Sequence, residues 1–268
     1  MGCNLSGVGE GRGREAAGAS APAASGTGLV PSTTTGMPPA GRPSEWFLID
    51  RRACRLKRMK KGVLNASRLL DFDAAGEKCR MRRTFVTLTY RPGVEWAPEH
   101  VGKFRRCMRE WFARRGVVCR FAWVAELTKA GRMHYHLLVW VPRRFILPKA
   151  DRRGWWPHGS TNVQEARSAI GYLAKYASKG TPEGHDFPKG ARIHGCGGLT
   201  SEGKRERRYW LSPLFARDGL GGRADIRKVR GGYADRITGE FTPSPWQIWA
   251  PRGGGVWAWR FLPEQIAC

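Results

Sequence analysis

The chain is 268 residues long, carries 47 Lys and Arg against 22 Asp and Glu for a formal charge of +25, and is 41% hydrophobic. That length can bury a proper core, and that charge favours a polyanionic partner, with nucleic acid first, over a merely solvated basic surface. No apolar run nears the roughly 18 residues of a membrane span, the N-terminus lacks the apolar centre of a secretory signal, and seven cysteines with no CxxC pair argue for reduced thiols over a disulfide framework.

Residues 1–44 are dominated by Gly, Ala, Ser, Thr and Pro and lack the apolar surface that would offset ordering, so they are expected to form a disordered tail. Residues 45–80 are a basic segment in which Arg51, Arg52, Arg55, Lys57, Arg58, Lys60 and Lys61 crowd together. They can grip phosphates with a steep salt dependence, or line a solvated charged helix. A compact domain is expected over 81–182. Residues 84–90 alternate Thr with apolar side chains and end at Arg91-Pro92-Gly93, a strand and a turn. Pro98 opens a helix to about Arg115 with Val101, Phe104, Met108, Trp111 and Phe112 at helical spacing. Strands follow over Val117–Leu127 and Arg132–Val141, with Gly131 in the turn, then a short strand over 161–164 and a helix over 165–179 stopped by Gly180 and Pro182. This order specifies an α+β fold, an antiparallel sheet with flanking helices. Residues 183–268 form a basic, Gly- and Trp-rich extension expected to be rich in strand and loop, whose Trp246, Trp249, Trp257 and Trp259 either pack a core or stack bases. Its His194 and Cys196, with His185 or His158, have the makings of a zinc site, but no second ligand pair appears and a loop without metal is expected.

Two constellations carry chemistry. In His134-Tyr135-His136 a strand places both imidazoles on one face. If Lys129-Ala130-Gly131 is a three-residue hairpin loop with Gly131 left-handed, Thr128 pairs with Arg132 and Glu126 lies opposite His134. Two histidines and one carboxylate suit Mg²⁺ or Mn²⁺ with open positions better than a closed zinc site. A register slip of one residue would turn Glu126 to the other face. Alone, two histidines in a strand are more often part of a core or a surface.

The second constellation is Tyr172-Leu173-Ala174-Lys175-Tyr176. At roughly 100° per residue, Tyr172, Tyr176, Lys175 and Lys179 share one side of a helix, and Ala166, Ala169, Ile170, Leu173 and Ala177 cluster on the other. A phenol has a pKa near 10 and needs a positive environment to act as a nucleophile, which the lysines supply. They can equally neutralise a phosphate in the transition state. The plain alternative is an amphipathic helix whose tyrosines finish the edge of a core.

Phe85-Val86-Thr87-Leu88-Thr89-Tyr90, His134-Tyr135-His136 and Tyr172-Leu173-Ala174-Lys175-Tyr176 resemble, in order and spacing, the three motifs of the HUH endonucleases. The likeness is greatest to the two-tyrosine rolling-circle replication initiators of single-stranded DNA bacteriophages. Residues 187–192 and 194–198 also look like the segment that follows the tyrosine helix in phage replication proteins. The resemblance implies a five-stranded antiparallel sheet related to the RNA-recognition fold, and a divalent ion on His134, His136 and Glu126. It further implies nicking of single-stranded origin DNA by a tyrosine that keeps the 5′ phosphate, a freed 3′ hydroxyl primer, and rejoining by way of the second tyrosine. Implied partners are the origin strand and the helicase and DNA polymerase of a bacterial host, in its cytoplasm and away from membranes. A non-catalytic single-strand-binding protein, and a transposase or mobilisation enzyme of the same superfamily, are the alternatives.

Overall fold

Asp50 starts the first long helix, its carboxylate accepting a hydrogen bond from the Ala53 N–H at 2.9 Å and so satisfying one free donor of the first turn. The computed structural model describes residues 46–166 and 169–260, and the expected tail of residues 1–44 lies outside them. A short strand β1 (Trp46–Leu48) precedes helix α1 (Arg51–Ala75). Met59, Val63, Ala66 and Leu70 recur every three or four positions of α1 and are buried in the main hydrophobic cluster. The basic run is therefore part of a helix that also contributes to the main hydrophobic cluster.

Strand β2 (Met81–Thr89), helix α2 (His100–Ala113), strands β3 (Arg120–Leu127), β4 (Met133–Pro142) and β5 (Thr161–Glu165), helix α3 (Ala169–Ser178) and strand β6 (His194–Gly197) follow. The strands form one antiparallel sheet in the order β5-β2-β4-β3-β6. The pattern of elements called for an antiparallel sheet with flanking helices, and the resemblance for its five strands. Its fifth strand, however, comes from a segment expected to be a loop. The helix expected from Glu165 begins at Ala169, because Glu165 still pairs with Thr84 and the Ala166 N–H still donates to the Arg83 carbonyl at 2.8 Å.

Helix α2 covers one face of the sheet, where the Arg105 guanidinium lies 5.6 Å from the Phe121 ring centre and Phe104 meets Trp156 edge-on at 6.5 Å. Helices α1 and α3 cover the other. Asp71 of α1 accepts two hydrogen bonds from Arg83 at 2.6 Å and one from Trp140 Nε1 at 3.0 Å, which fixes the C-terminal part of α1 to β2 and β4. Trp123, Trp140, Trp156 and Tyr135 are fully buried. Each removes on the order of 200 Å² from water, an upper-bound stabilisation of about 4–6 kcal/mol at about 25 cal/mol per Å².

The C-terminal part contains helices α4 (Ser201–Leu211) and α5 (Leu214–Gly219) and strands β7 (Ile226–Val229), β8 (Gly232–Asp235), β9 (Phe241–Pro243), β10 (Trp246–Trp249) and β11 (Trp257–Arg260). Two three-stranded antiparallel sheets result, β7-β8-β9 and β1-β11-β10. Besides the strands and loops expected here stand two helices: α4 is charged along most of its length and shows no apolar stripe, while Thr200 caps it by accepting from the Gly203 N–H at 3.0 Å. Among the described residues no helix is long and apolar enough to cross a membrane.

Candidate active site

The hairpin between β3 and β4 sets the geometry. Thr128 N–H donates to the Arg132 carbonyl and Gly131 N–H to the Thr128 carbonyl, each at 2.9 Å, with Gly131 at φ +72°. Only glycine suits this position, since an added Cβ would also lie 2.4 Å from His185 Nδ1. Glu126 thus stands opposite His134 in the ladder, and Thr87 of β2 stands opposite His136. All four side chains share the face covered by α1 and α3.

Glu126 does not point straight across. Its carboxylate leans to the diagonal neighbour, with Oε2 2.6 Å from His136 Nε2, while Oε1 accepts a hydrogen bond from Lys179 Nζ at 2.6 Å. Thr87 Oγ1 lies 3.3 Å from His136 Nδ1 on the far side of the ring. Burial works to raise the Glu126 pKa, but the hydrogen bonds from His136 and Lys179 outweigh it and hold the carboxyl below the ordinary glutamate range. Burial, and next the neighbouring His136, push the His134 pKa down, so that its imidazole stays neutral and keeps a lone pair for a ligand at neutral pH.

The tyrosine helix docks over this group. Tyr176 stacks on His136 with ring centres 3.7 Å apart and planes 15° apart, and Lys179 Nζ lies 5.0 Å from the centre of the Tyr176 ring. Phe85 of β2 lies under both tyrosines, 5.4 Å from Tyr172 and 5.8 Å from Tyr176. Leu173 and Ala177 are buried as the helical wheel requires, and Lys175 is exposed. The two phenols are not equivalent: Tyr172 is 41% exposed one turn away, whereas Tyr176 is partly buried against the histidine. The wheel put both tyrosines on the side away from the sheet, but their rings reach Phe85 and His136 on it. Lys179, expected beside a phenol or a phosphate, lies beside the Tyr176 ring and is also paired with Glu126.

The donors fit a hard divalent ion in kind and in face. As they stand they do not converge on one point, and among the described residues no three His, Cys, Asp or Glu side chains form a group able to hold an ion. The reason is visible in the contacts: His136 and Glu126 touch each other directly, and Lys179 takes the second carboxylate oxygen. A cleft of about 620 Å³ opens beside His134, lined by Thr89, Arg91, Thr128, Arg132 and Asp151 among others. Arg91 and Arg132 outnumber the one carboxylate, Asp151, and make it cationic; Asp151 itself accepts a 2.7 Å hydrogen bond from the Thr161 hydroxyl.

The seven basic residues of α1 divide. Arg52 donates to the Thr181 hydroxyl and, at 2.9 Å, to the His185 carbonyl, and Arg55 donates to the Ala191 carbonyl. These two tie α1 to the loop after α3. Arg51, Lys57, Arg58, Lys60 and Lys61 are exposed. Thr87 and Phe85 are the site residues that sequence reasoning missed. Both lie in the quoted strand motif, but their place beside His136 and the tyrosines follows only from the β2–β4 register.

His194 and Cys196 lie on β6 opposite Val124 and Ala122, in a strand and not a loop. His158 stacks on His100 at 3.6 Å and His185 packs on Gly131, so neither completes a metal site there. In the C-terminal sheet Trp259 is buried and meets Trp46 at 4.4 Å, which assigns it to packing, while Trp246 is 39% exposed.

Residues 83–181, from β2 to just past α3, match the model of the family described as Replication-associated protein ORF2/G2P, a family of rolling-circle replication initiators. The match covers well under half of the chain and contains all three motifs. No curated protein and no solved structure gives a significant match.

Proposed function

We propose that the protein is a two-tyrosine HUH endonuclease that initiates rolling-circle DNA replication. The observation that carries this reading is the stacking of Tyr176 on His136 at 3.7 Å, with Glu126 bonded to the same imidazole, inside the span that matches the replication-associated family. His134, His136 and Glu126 would hold Mg²⁺ or Mn²⁺ once Glu126 releases Lys179. When bound, the ion would act as a Lewis acid on the scissile phosphate.

The chain's own residues account for the rest. Arg91 and Arg132 draw the phosphates of an unpaired strand into the cleft beside His134. A tyrosine hydroxyl loses its proton to water as its oxygen attacks phosphorus, the P–O3′ bond breaks, the 5′ phosphate stays on the tyrosine, and the leaving 3′ oxygen takes up a proton from water to become a primer hydroxyl. Lys179, freed from Glu126, and Lys175 stabilise charge on the phosphoryl oxygens. With the first tyrosine esterified, the other can cut the regenerated origin, and attack of the new 3′ hydroxyl on the phosphotyrosine closes the strand without ATP. Tyr176, against His136, is placed for the first cut, and Tyr172, exposed on the next turn, for the second. Unwinding and synthesis fall to a helicase and polymerase of a bacterial host, in its cytoplasm.

The direct contact of Glu126 with both His136 and Lys179 favours a second reading, a single-strand-binding protein without catalysis. The two separate on one experiment. An oligonucleotide carrying the origin, with Mn²⁺, forms a denaturation-resistant protein–DNA adduct that disappears in the Tyr172→Phe, Tyr176→Phe double variant. An adduct that survives both substitutions removes the nucleophiles assigned here, and DNA binding without any adduct supports the second reading.

A further inference from the structure

A second concentration of positive charge lies where α1 meets β6 and α4. Helix α1 approaches β6 at Gly62: a Cβ added there would sit 2.8 Å from His194 Nε2 and 3.6 Å from a terminal nitrogen of Arg207. Arg207 of α4 and Arg58 and Arg55 of α1 therefore gather around one imidazole, with Arg192 donating to the His194 carbonyl at 3.2 Å. Further along the same side, Lys61 feels the charge of Arg217, whose guanidinium lies 5.2 Å from the Trp210 ring centre and 5.9 Å from that of Tyr209.

Among the described residues, Arg58, Lys61, Arg192, Arg207 and Arg217 take part in none of the ion pairs, which involve other cations. The Nε atoms of Arg207 and Arg217 and the Nδ1 atom of His194 are buried without a hydrogen-bond partner. His194 stays neutral here, its pKa pushed down to about 4 by burial first and then by the surrounding guanidinium groups. Folding thus holds five cations together against their mutual repulsion, the arrangement that attracts a polyanion.

The sheet fixes where this surface lies relative to the tyrosines. His194 and His136 both face Val124 in the ladder, so they occupy one row, two strands apart. Strand spacing makes that about 10 Å, roughly three base-pair rises of about 3.4 Å. One DNA molecule can reach both places.

We propose that Arg58, Lys61, Arg192, Arg207 and Arg217 form a phosphodiester-binding surface, separate from the tyrosine site, that anchors DNA a few nucleotides from the point of cleavage. Arg52 and Arg55 are not part of it, because they hold the loop after α3. The contacts are to phosphate, so the surface adds affinity without reading sequence. Its position relative to a nick rests on the nicking function proposed above, whereas its capacity to bind phosphates does not.

The test uses the full chain and two probes, a 30-nucleotide single strand and the corresponding duplex, with Kd measured by fluorescence anisotropy across 50–200 mM salt. In the Arg58→Gln, Lys61→Gln, Arg207→Gln variant the slope of log K against log salt becomes shallower by about 0.9 per lost contact on duplex, about 3 in all, or by about 0.7 each on single strand, about 2 in all. The probe that shows the change identifies the form of DNA held. The control Lys103→Gln, Arg106→Gln, Arg114→Gln removes the same charge from α2 and its C-terminal cap and should leave the slope nearly unchanged. If the triple variant does not fold, the exposed pair Arg58→Gln, Lys61→Gln carries the test with about two thirds of the effect. An unchanged slope, or an equal loss in the α2 control, overturns the proposal. Adduct formation is scored in parallel: a slope change without any wild-type adduct sinks the nicking function and leaves the anchoring surface, and an adduct with no slope change does the reverse.

Discussion

Two histidines on one face of one sheet, in one cross-strand row, have been given opposite surroundings. His136 on β4 has the Glu126 carboxylate at 2.6 Å, the Thr87 hydroxyl at 3.3 Å and the Tyr176 ring stacked upon it. His194 on β6 has guanidinium groups around it, no carboxylate, and a buried Nδ1 without a partner. Both belong to an i, i+2 pair of metal-ligand residue types, and the ladder decides between them. Glu126 and Thr87 stand opposite the first pair, Val124 and Ala122 opposite the second. An imidazole's surroundings here are set by the strand beside it: on the readings proposed above, one serves a cation and the other is a neutral spacer within an anion-attracting surface.

The widest break in that comparison comes from acid. The folded pKa of His194 is about 4, against about 6.5 unfolded, so between these values the unfolded chain binds the extra proton and stability rises with pH. This contribution is complete above about pH 6.5 and is lost as pH falls towards 4, a change of about 3 kcal/mol. Urea unfolding of wild type and His194→Gln at pH 7 and pH 4.5 measures it: the difference between the two proteins should shift with pH in favour of the variant, and parallel curves would show that His194 is not held neutral. Next comes the loss of the carboxylate from the other histidine. Glu126→Gln should lower Mn²⁺-dependent adduct yield at least 100-fold, beyond the usual cost of an outer partner; a yield within threefold of wild type would exclude Glu126 as a ligand.

How far each half of this comparison can be read from the chain alone depends on where its register comes from. The β3–β4 register follows from three residues, Lys129 to Gly131, and with it the facing of Glu126 and His134. The tyrosine helix was legible from its spacing, although its start was not: Glu165 reads as a helix former, and only pairing with Thr84 keeps it in β5. Strand β6 was hidden because a Gly-rich stretch carries no period of two, and its pairing with β3 joins residues about seventy positions apart. The cationic surface was half visible. The run in α1 stood out, but Arg207 and Arg217 belong to helices without an apolar stripe, and the internal bonding of Arg52 and Arg55 leaves no trace in composition.

Two smaller effects sharpen the contrast. Gly62→Ala places a methyl group 2.8 Å from His194 Nε2, and forcing apart α1 and β6 should cost about 2 kcal/mol in unfolding free energy. A melting temperature equal to that of wild type would mean that the helix yields freely. Thr87→Val keeps the shape and removes the hydroxyl beside His136 Nδ1, so half-maximal adduct formation should need about tenfold more Mn²⁺ while the fold is unchanged. An unaltered Mn²⁺ titration would remove Thr87 from the site.

The central claim is that a tyrosine of α3 becomes joined to DNA beside His136. Digestion of the trapped adduct and mass spectrometry of the nucleotide-bearing peptide test it directly. The account predicts a 5′-phosphate ester on Tyr176, with Tyr172 modified in the Tyr176→Phe variant. A nucleotide attached to any residue outside α3, or cleavage that leaves both tyrosines unmodified, would contradict it.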